Sequence, residues 1–162
     1  MSAADCQMDK KTILIVDDIE LNRAILAELF DDLYDIEEAE NGQQALDILE
    51  REHGKIFMVL LDIIMPVMDG FEVLQVMSEK RWIERVPVIL ITSENSDRAA
   101  LQGYQLGVTD IINKPFNPEV VKRRVANIIE LFMHKSSLEK LVSQQIGTLQ
   151  KQARKSIRSI IS

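Results

Sequence analysis

The sequence predicts a doubly wound α/β fold, a parallel sheet with helices on both faces. Two observations carry that prediction. Short runs such as Thr12-Ile-Leu-Ile-Val16 and Ile56-Phe-Met-Val-Leu-Leu61 are apolar at every position, as strands buried on both faces must be. Segments with helical apolar spacing separate these runs, so strand and helix alternate five times with short connections and no internal repeat.

The elements follow in order. Asp17-Asp18 ends the first strand, and Leu21, Ile25, Leu29 and Leu33 then recur at helical spacing, predicting a helix to about Asp32. Residues 34–40 alternate weakly and read as a short edge strand. Asn41-Gly42 turns the chain into a second helix marked by Ala45, Leu46 and Leu49, ending near His53. Strand three stops at Asp62. Met65-Pro66 and Asp69-Gly70 shape the loop beyond it, and Phe71, Leu74, Val76 and Met77 mark a third helix. Val86–Ile91 reads as the fourth strand, with Pro87 tolerable near its start and Thr92-Ser93 at its end. A fourth helix over about 96–106 stops at Gly107. Thr109–Asn113 is the fifth strand, and Pro118 opens a fifth helix.

In sheets of this kind function gathers beyond the carboxyl ends of the strands. Asp17 and Asp18 follow strand one, Asp62 strand three, Thr92 strand four and Lys114 strand five. Clustered carboxylates repel one another unless a cation balances them. A hard, oxygen-ligated ion such as Mg²⁺ suits these acids, and no His or Cys stands nearby to suggest zinc. Lys114 and the Thr92 hydroxyl can each stabilise a phosphoryl oxygen, and a carboxylate is an effective phosphoryl acceptor.

Val16-Asp17-Asp18, Leu61-Asp62-Ile-Ile-Met65-Pro66-Val-Met-Asp69-Gly70, Ile91-Thr92-Ser93 and Lys114-Pro115-Phe116 together resemble the receiver domain of two-component response regulators. The resemblance covers about residues 11–133. It implies a flavodoxin-like five-stranded sheet of order 2-1-3-4-5. Asp62 is then the phosphoacceptor, and Asp18, Asp17, Asp62 and the backbone carbonyl of Ile64 are the Mg²⁺ ligands. Thr92 becomes the switch hydroxyl and Lys114 the phosphoryl-pairing lysine, followed by a cis peptide at Pro115. The implied partner is a histidine kinase or phosphotransfer protein, and the chain is a signalling domain rather than an enzyme. Ile64 and Glu94 stand where the family tunes phosphoryl lifetime. One position departs from the pattern: Ile111 stands where the family often has an aromatic that turns inward with the switch hydroxyl. The expected readout therefore runs through repacking of the fourth helix and fifth strand.

Beyond the receiver the fifth helix continues. Leu131, Lys135, Leu138, Val142, Ile146, Leu149, Ala153, Ile157 and Ile160 form a seam with an 11-residue repeat, visible as Leu138–Leu149–Ile160. Gly147 costs this helix about 1 kcal/mol against alanine. The seam predicts a parallel homodimer through the C-terminal helix and the helix 4–strand 5–helix 5 face. Residues 131–142 look like the signalling helix that joins receivers to output domains, commonly those that make or break cyclic-di-GMP. Residues 134–162 are thus expected to be a coiled-coil extension or linker, in a fragment of a longer protein or in a receiver acting alone. Residues 1–10, with the lone Cys6, are expected to be a flexible tail.

Composition sets the remaining bounds. The net charge of −7 argues against a nucleic-acid-binding domain. Residues 135–162 nevertheless carry six basic residues against Glu139 alone, read as the solvated exterior of a coiled coil. No apolar run approaches a membrane span, and the amino terminus lacks the layout of a secretory signal, so a cytoplasmic location is expected. Met65, Met68 and Met77 are expected to pack, Trp82 to pack in part, and His53 and His134 to be solvated. Three rival readings are weaker. A phosphatase of the haloacid-dehalogenase type wants an acid where Ile64 stands. In a flavodoxin-like FMN carrier, Asp17-Asp18-Ile19-Glu20 would repel the phosphate. A pseudo-receiver would not be expected to retain all five site side chains.

Overall fold

The computed structural model describes residues 11–161. The expected tail over residues 1–10, Cys6 included, lies outside them. Elements follow as β1 (Thr12–Val16), α1 (Glu20–Phe30), β2 (Asp35–Ala39), α2 (Gly42–Glu52), β3 (Ile56–Leu61), α3 (Gly70–Glu79), a 3₁₀ turn (Trp82–Glu84), β4 (Val88–Thr92), α4 (Asp97–Leu106), β5 (Asp110–Asn113) and α5 (Pro118–Ile161). Every strand pairing is parallel, in the order β2-β1-β3-β4-β5. This is the doubly wound, flavodoxin-like sheet expected from the sequence, with the long C-terminal helix after it. The order reverses beside β1, where β2 lies on one side and β3 on the other, and that opens the crevice at the carboxyl ends.

All of β1 and β4, and nearly all of β3, is buried, which explains their unbroken apolar sequences. The pleat sends alternate residues to opposite faces. Leu14, Val16, Val59, Leu61, Val88 and Leu90 enter one core with Ala45, Ile48 and Leu49 of α2 and Val73, Leu74 and Met77 of α3. Ile13, Ile15, Met58, Leu60, Ile89 and Ile91 point the other way and are equally buried.

α1 forms where the apolar spacing predicts a helix, but that stripe is not its buried face, Ile25 and Leu29 being only half-buried. Its buried residues are Arg23, Leu26 and Phe30, whereas Leu21 and Leu33 are exposed. These three share a face at steps of three and four, but apolar spacing alone does not count an arginine as a core residue. β4 also begins two residues later than its apolar run. Val86 donates its N–H to the Trp82 carbonyl at 2.9 Å, so it belongs to the preceding turn. Conversely, Thr92 lies within β4 and pairs with Asn113.

Local signals place the remaining ends. Asn41, Asp69 and Ser96 each cap a helix, accepting from Gln44, Glu72 and Ala99 N–H respectively. Gly107 closes α4 at φ 104°, a conformation that L side chains avoid. Met65 and Met77 are core residues and Met68 packs against the core, as expected. His53 is exposed, as expected; its Nδ1 lies 3.0 Å from the Leu49 carbonyl and its ring stacks on Trp82 at 5.1 Å.

The chain divides into two compact units, one ending at Ala126 and the other beginning at Asn127. The second unit consists of α5 residues in unbroken helix, running through Gly147 to Ile161. Its apolar seam is wet: Leu138, Val142, Ile146, Leu149, Ile157 and Ile160 are each at least 50% exposed.

Candidate functional site

Asp17 is the first residue past β1, and the chain around it is heavily constrained. Its N–H donates to the Ala39 carbonyl at 3.1 Å, continuing the ladder to β2. Its Oδ1 accepts from the Ile19 N–H at 2.9 Å and its Oδ2 from Lys114 Nζ at 2.9 Å. Asp62 is the first residue past β3. Its N–H donates to the Val16 carbonyl at 2.9 Å, which holds it at the level of Asp17. Lys114 Nζ also donates to Asp62 Oδ2, at 3.1 Å, so one ammonium bridges both buried acids.

Lys114 reaches this position because β5 delivers it. Its N–H donates to the Thr92 carbonyl at 2.8 Å, and the peptide to Pro115 is cis, as expected. Asp18 is exposed beside the pair, and one carboxylate oxygen from each of Asp17, Asp18 and Asp62 falls within 4.8 Å of the others. Thr92 is fully buried at the end of β4; its Oγ1 accepts the Glu94 N–H at 3.0 Å and so retains its own proton for donation. The loop beyond Asp62 leans on Gly70. A Cβ there would collide with the Asp62 carbonyl oxygen and lie 2.9 Å from the Ile63 Cα. Ile64 has an exposed side chain and lines a groove with Glu94, Asp69 and Arg98. The two residues assigned to phosphoryl lifetime thus share one wall. Ile111 is half-buried and lines a neighbouring cleft with Thr92 and Tyr104.

The electrostatics follow from this geometry. Burial pushes the Asp62 carboxyl above the usual carboxylate range; the Lys114 hydrogen bond and charge oppose that rise, and the Asp17 charge adds to it. For Lys114, burial works to lower the ammonium's pKa, but its hydrogen bonds to Asp17 and Asp62 and their negative charges outweigh it, and the net shift is upward. One lysine thus faces three acids. Asp62 Oδ1 is buried without a hydrogen-bond partner, an arrangement that is costly unless another group satisfies it. An orphaned carboxylate oxygen in an all-oxygen cluster with excess negative charge fits a hard divalent cation such as Mg²⁺.

One contributor escaped the sequence reading. Arg23, buried on α1, donates from Nη1 to the Asp17 carbonyl at 2.7 Å. Its spacing to Leu26 and Phe30 was the available signal.

The fold and site define a receiver module, and comparison with known proteins agrees. The chain belongs to the response regulator receiver domain family, matched over residues 13–126. It is 36% identical over 144 residues to the response regulator GtcR of Aneurinibacillus migulanus, which covers 86% of this chain and 56% of that protein. It is 38% identical over 114 residues to a Vibrio cholerae protein named "Probable cyclic di-GMP phosphodiesterase", covering 70% of this chain and 25% of that one. Among solved structures, the "BeF3 Activated DrrB Receiver Domain" superposes with a TM-score of 0.66 at 30% identity, covering 75% of this chain and 98% of that one. The chain spans about half the length of several curated relatives it matches. Among the described residues, no helix is long and apolar enough to cross a membrane.

Proposed function

We propose that this chain is the phosphoacceptor of a two-component relay and that Asp62 receives the phosphoryl group. The observation that carries this reading is the Asp62 carboxylate, buried at the end of β3, with Lys114 at 3.1 Å and two further acids beside it. A carboxylate oxygen of Asp62 attacks the phosphorus of a phosphohistidine on a partner kinase or phosphotransfer protein. The P–N bond breaks, the imidazole leaves with its electron pair, and an acyl phosphate remains on Asp62. Asp17, Asp18, Asp62 and the Ile64 carbonyl would hold a Mg²⁺ ion, which when bound offsets negative charge on the phosphoryl oxygens. Lys114 pairs with one phosphoryl oxygen, and the Thr92 hydroxyl donates to another. The chain does not turn over a substrate beyond hydrolysis of its own acyl phosphate, at a rate tuned by Ile64 and Glu94.

Movement of Thr92 toward the phosphoryl group shifts a two-state equilibrium in the α4–β5–α5 face. Ile111, beside Thr92 in the cleft, transmits that shift without an aromatic. The exposed seam of α5 pairs with a second copy, and the helix carries the change to an output of cyclic-di-GMP type. The likeness to a relative named for cyclic-di-GMP hydrolysis supports that choice of output. A receiver that acts alone through its helix is the second reading, favoured by the seam itself.

Incubation with Mg²⁺ and acetyl phosphate, or with the mimic beryllofluoride, tests the central claim by intact mass and by NMR. Wild-type protein is expected to acquire one labile adduct and Asp62→Asn none. An adduct that persists in Asp62→Asn would overturn the assignment.

A further inference from the structure

We infer that Arg23 is a positioning residue for the metal-binding acids, acting through the main chain of Asp17. The inference rests on the proposed Mg²⁺ site. Arg23 is only 7% exposed, among the few buried charged groups of the described residues, and a guanidinium is costly to bury unless paired. Its partners are of two kinds. Nε lies 3.3 Å from Glu38 Oε1 and Nη2 lies 3.8 Å from Glu40 Oε1, both carboxylates being largely exposed on or beside the edge strand β2. The shorter and better buried contact goes to no carboxylate. Nη1 donates to the Asp17 carbonyl at 2.7 Å.

That bond completes the immobilisation of one residue. The N–H of Asp17 is held by Ala39, its carbonyl by Arg23, and its two carboxylate oxygens by the Ile19 N–H and Lys114. Asp18 follows directly and is exposed, so its carboxylate hangs from a peptide whose carbonyl Arg23 fixes. With that peptide free to rotate, Asp18 would lose its aim at the cluster while remaining in the chain. Arg23 also places a fixed positive charge behind three acids without occupying a coordination position. Arginine suits this task because its planar fork reaches the carbonyl and the β2 carboxylates together, which a lysine cannot do.

The test is a Mg²⁺ titration by calorimetry and by the amide NMR shifts of residues 17, 18 and 62, on wild type, Arg23→Met, Arg23→Lys and Glu38→Gln. Arg23→Met is expected to weaken Mg²⁺ binding by about 10-fold or more, as loss of outer-shell partners of metal ligands does. Arg23→Lys is expected to restore part of the affinity. Glu38→Gln removes the charge of the partly exposed carboxylate but keeps the carbonyl bond, and is expected to stay within about fivefold of wild type. Phosphorylation by acetyl phosphate should need more Mg²⁺ in Arg23→Met yet reach the wild-type maximal rate at saturation, a split that simple loss of folding would not give. If Arg23→Met does not fold, Arg23→Lys carries the test, with reduced affinity and wild-type amide shifts away from the site expected. Wild-type affinity in both Arg23 variants, or equal losses in Glu38→Gln and Arg23→Met, overturns the inference. Absence of Mg²⁺ binding in wild type would instead refute the metal-site reading beneath it.

Discussion

The two units of this chain treat similar apolar residues in opposite ways. In the first, ending at Ala126, Leu14, Leu49, Leu74 and Leu90 are completely buried. In the second, from Asn127, Leu138, Leu149 and Ile160 recur every eleven residues and are 58–83% exposed. The first unit gains its stability by removing apolar area from water within one chain. A single helix has no opposing surface, so its seam gains nothing until a partner arrives. The contrast separates a unit that buries its own core from a helix whose apolar seam has no cover within this chain.

The largest expected effect that sharpens this contrast comes from matched truncations. Leu74→Ala should cost about 2–5 kcal/mol of unfolding free energy. Leu149→Ala should stay within about 0.5 kcal/mol when measured at concentrations where the protein is monomeric. Urea denaturation of both variants decides the matter, and equal losses would mean that the seam is already buried in the monomer. Next, the proposed dimer is expected to become a monomer by light scattering when residues 135–162 are removed, while the unfolding midpoint of the first unit stays unchanged. A dimer that survives would move the association surface to the globular unit.

A smaller effect arises inside the first unit. Burial raises the Asp62 carboxyl above its usual range, so the folded chain holds that proton more tightly than the unfolded chain does. The resulting stabilisation is complete below the unfolded carboxylate pKa and is lost as pH rises through the folded value. Asp62→Asn has no such group to ionise. In the presence of a chelator it should therefore gain stability relative to wild type as pH rises from about 3.5 to 7.5, spanning the carboxylate titration. Urea midpoints across that range measure the gap, and a constant difference would refute the assigned direction. The smallest effect concerns Gly147, where an added Cβ meets nothing within 4 Å. Gly147→Ala should raise helix stability by about 1 kcal/mol, seen as a higher melting midpoint of α5 by circular dichroism. A loss instead would place Gly147 at a close helix–helix contact.

Much of this molecule was legible without coordinates because its signals are local. Continuous apolar runs mark strands buried on both faces, and Asn41-Gly42, Asp69-Gly70 and Gly107 act on backbone groups only a few residues away. Asp17, Asp18, Asp62, Thr92 and Lys114 could be singled out because parallel strands all end on one edge. The limits of β4 were less legible, since Val86 looks like a strand residue but its N–H is held by the turn at Trp82. The stacking of exposed His53 on Trp82 was not legible either, because the two rings are distant in sequence.

The sequence by itself determined the order of elements, the sheet class and the list of acids, because those depend on periodicity and chain direction. Only the tertiary structure decided that one lysine bridges Asp17 and Asp62, that Asp62 keeps an unpartnered oxygen, and that an arginine occupies the core face of α1. The physical reason is that burying a charge is favourable only when its partners converge. The partners of Arg23 are the residue after β1, Glu38 of β2 and the residue after β2, which the folded sheet brings to one place though they are separate along the chain.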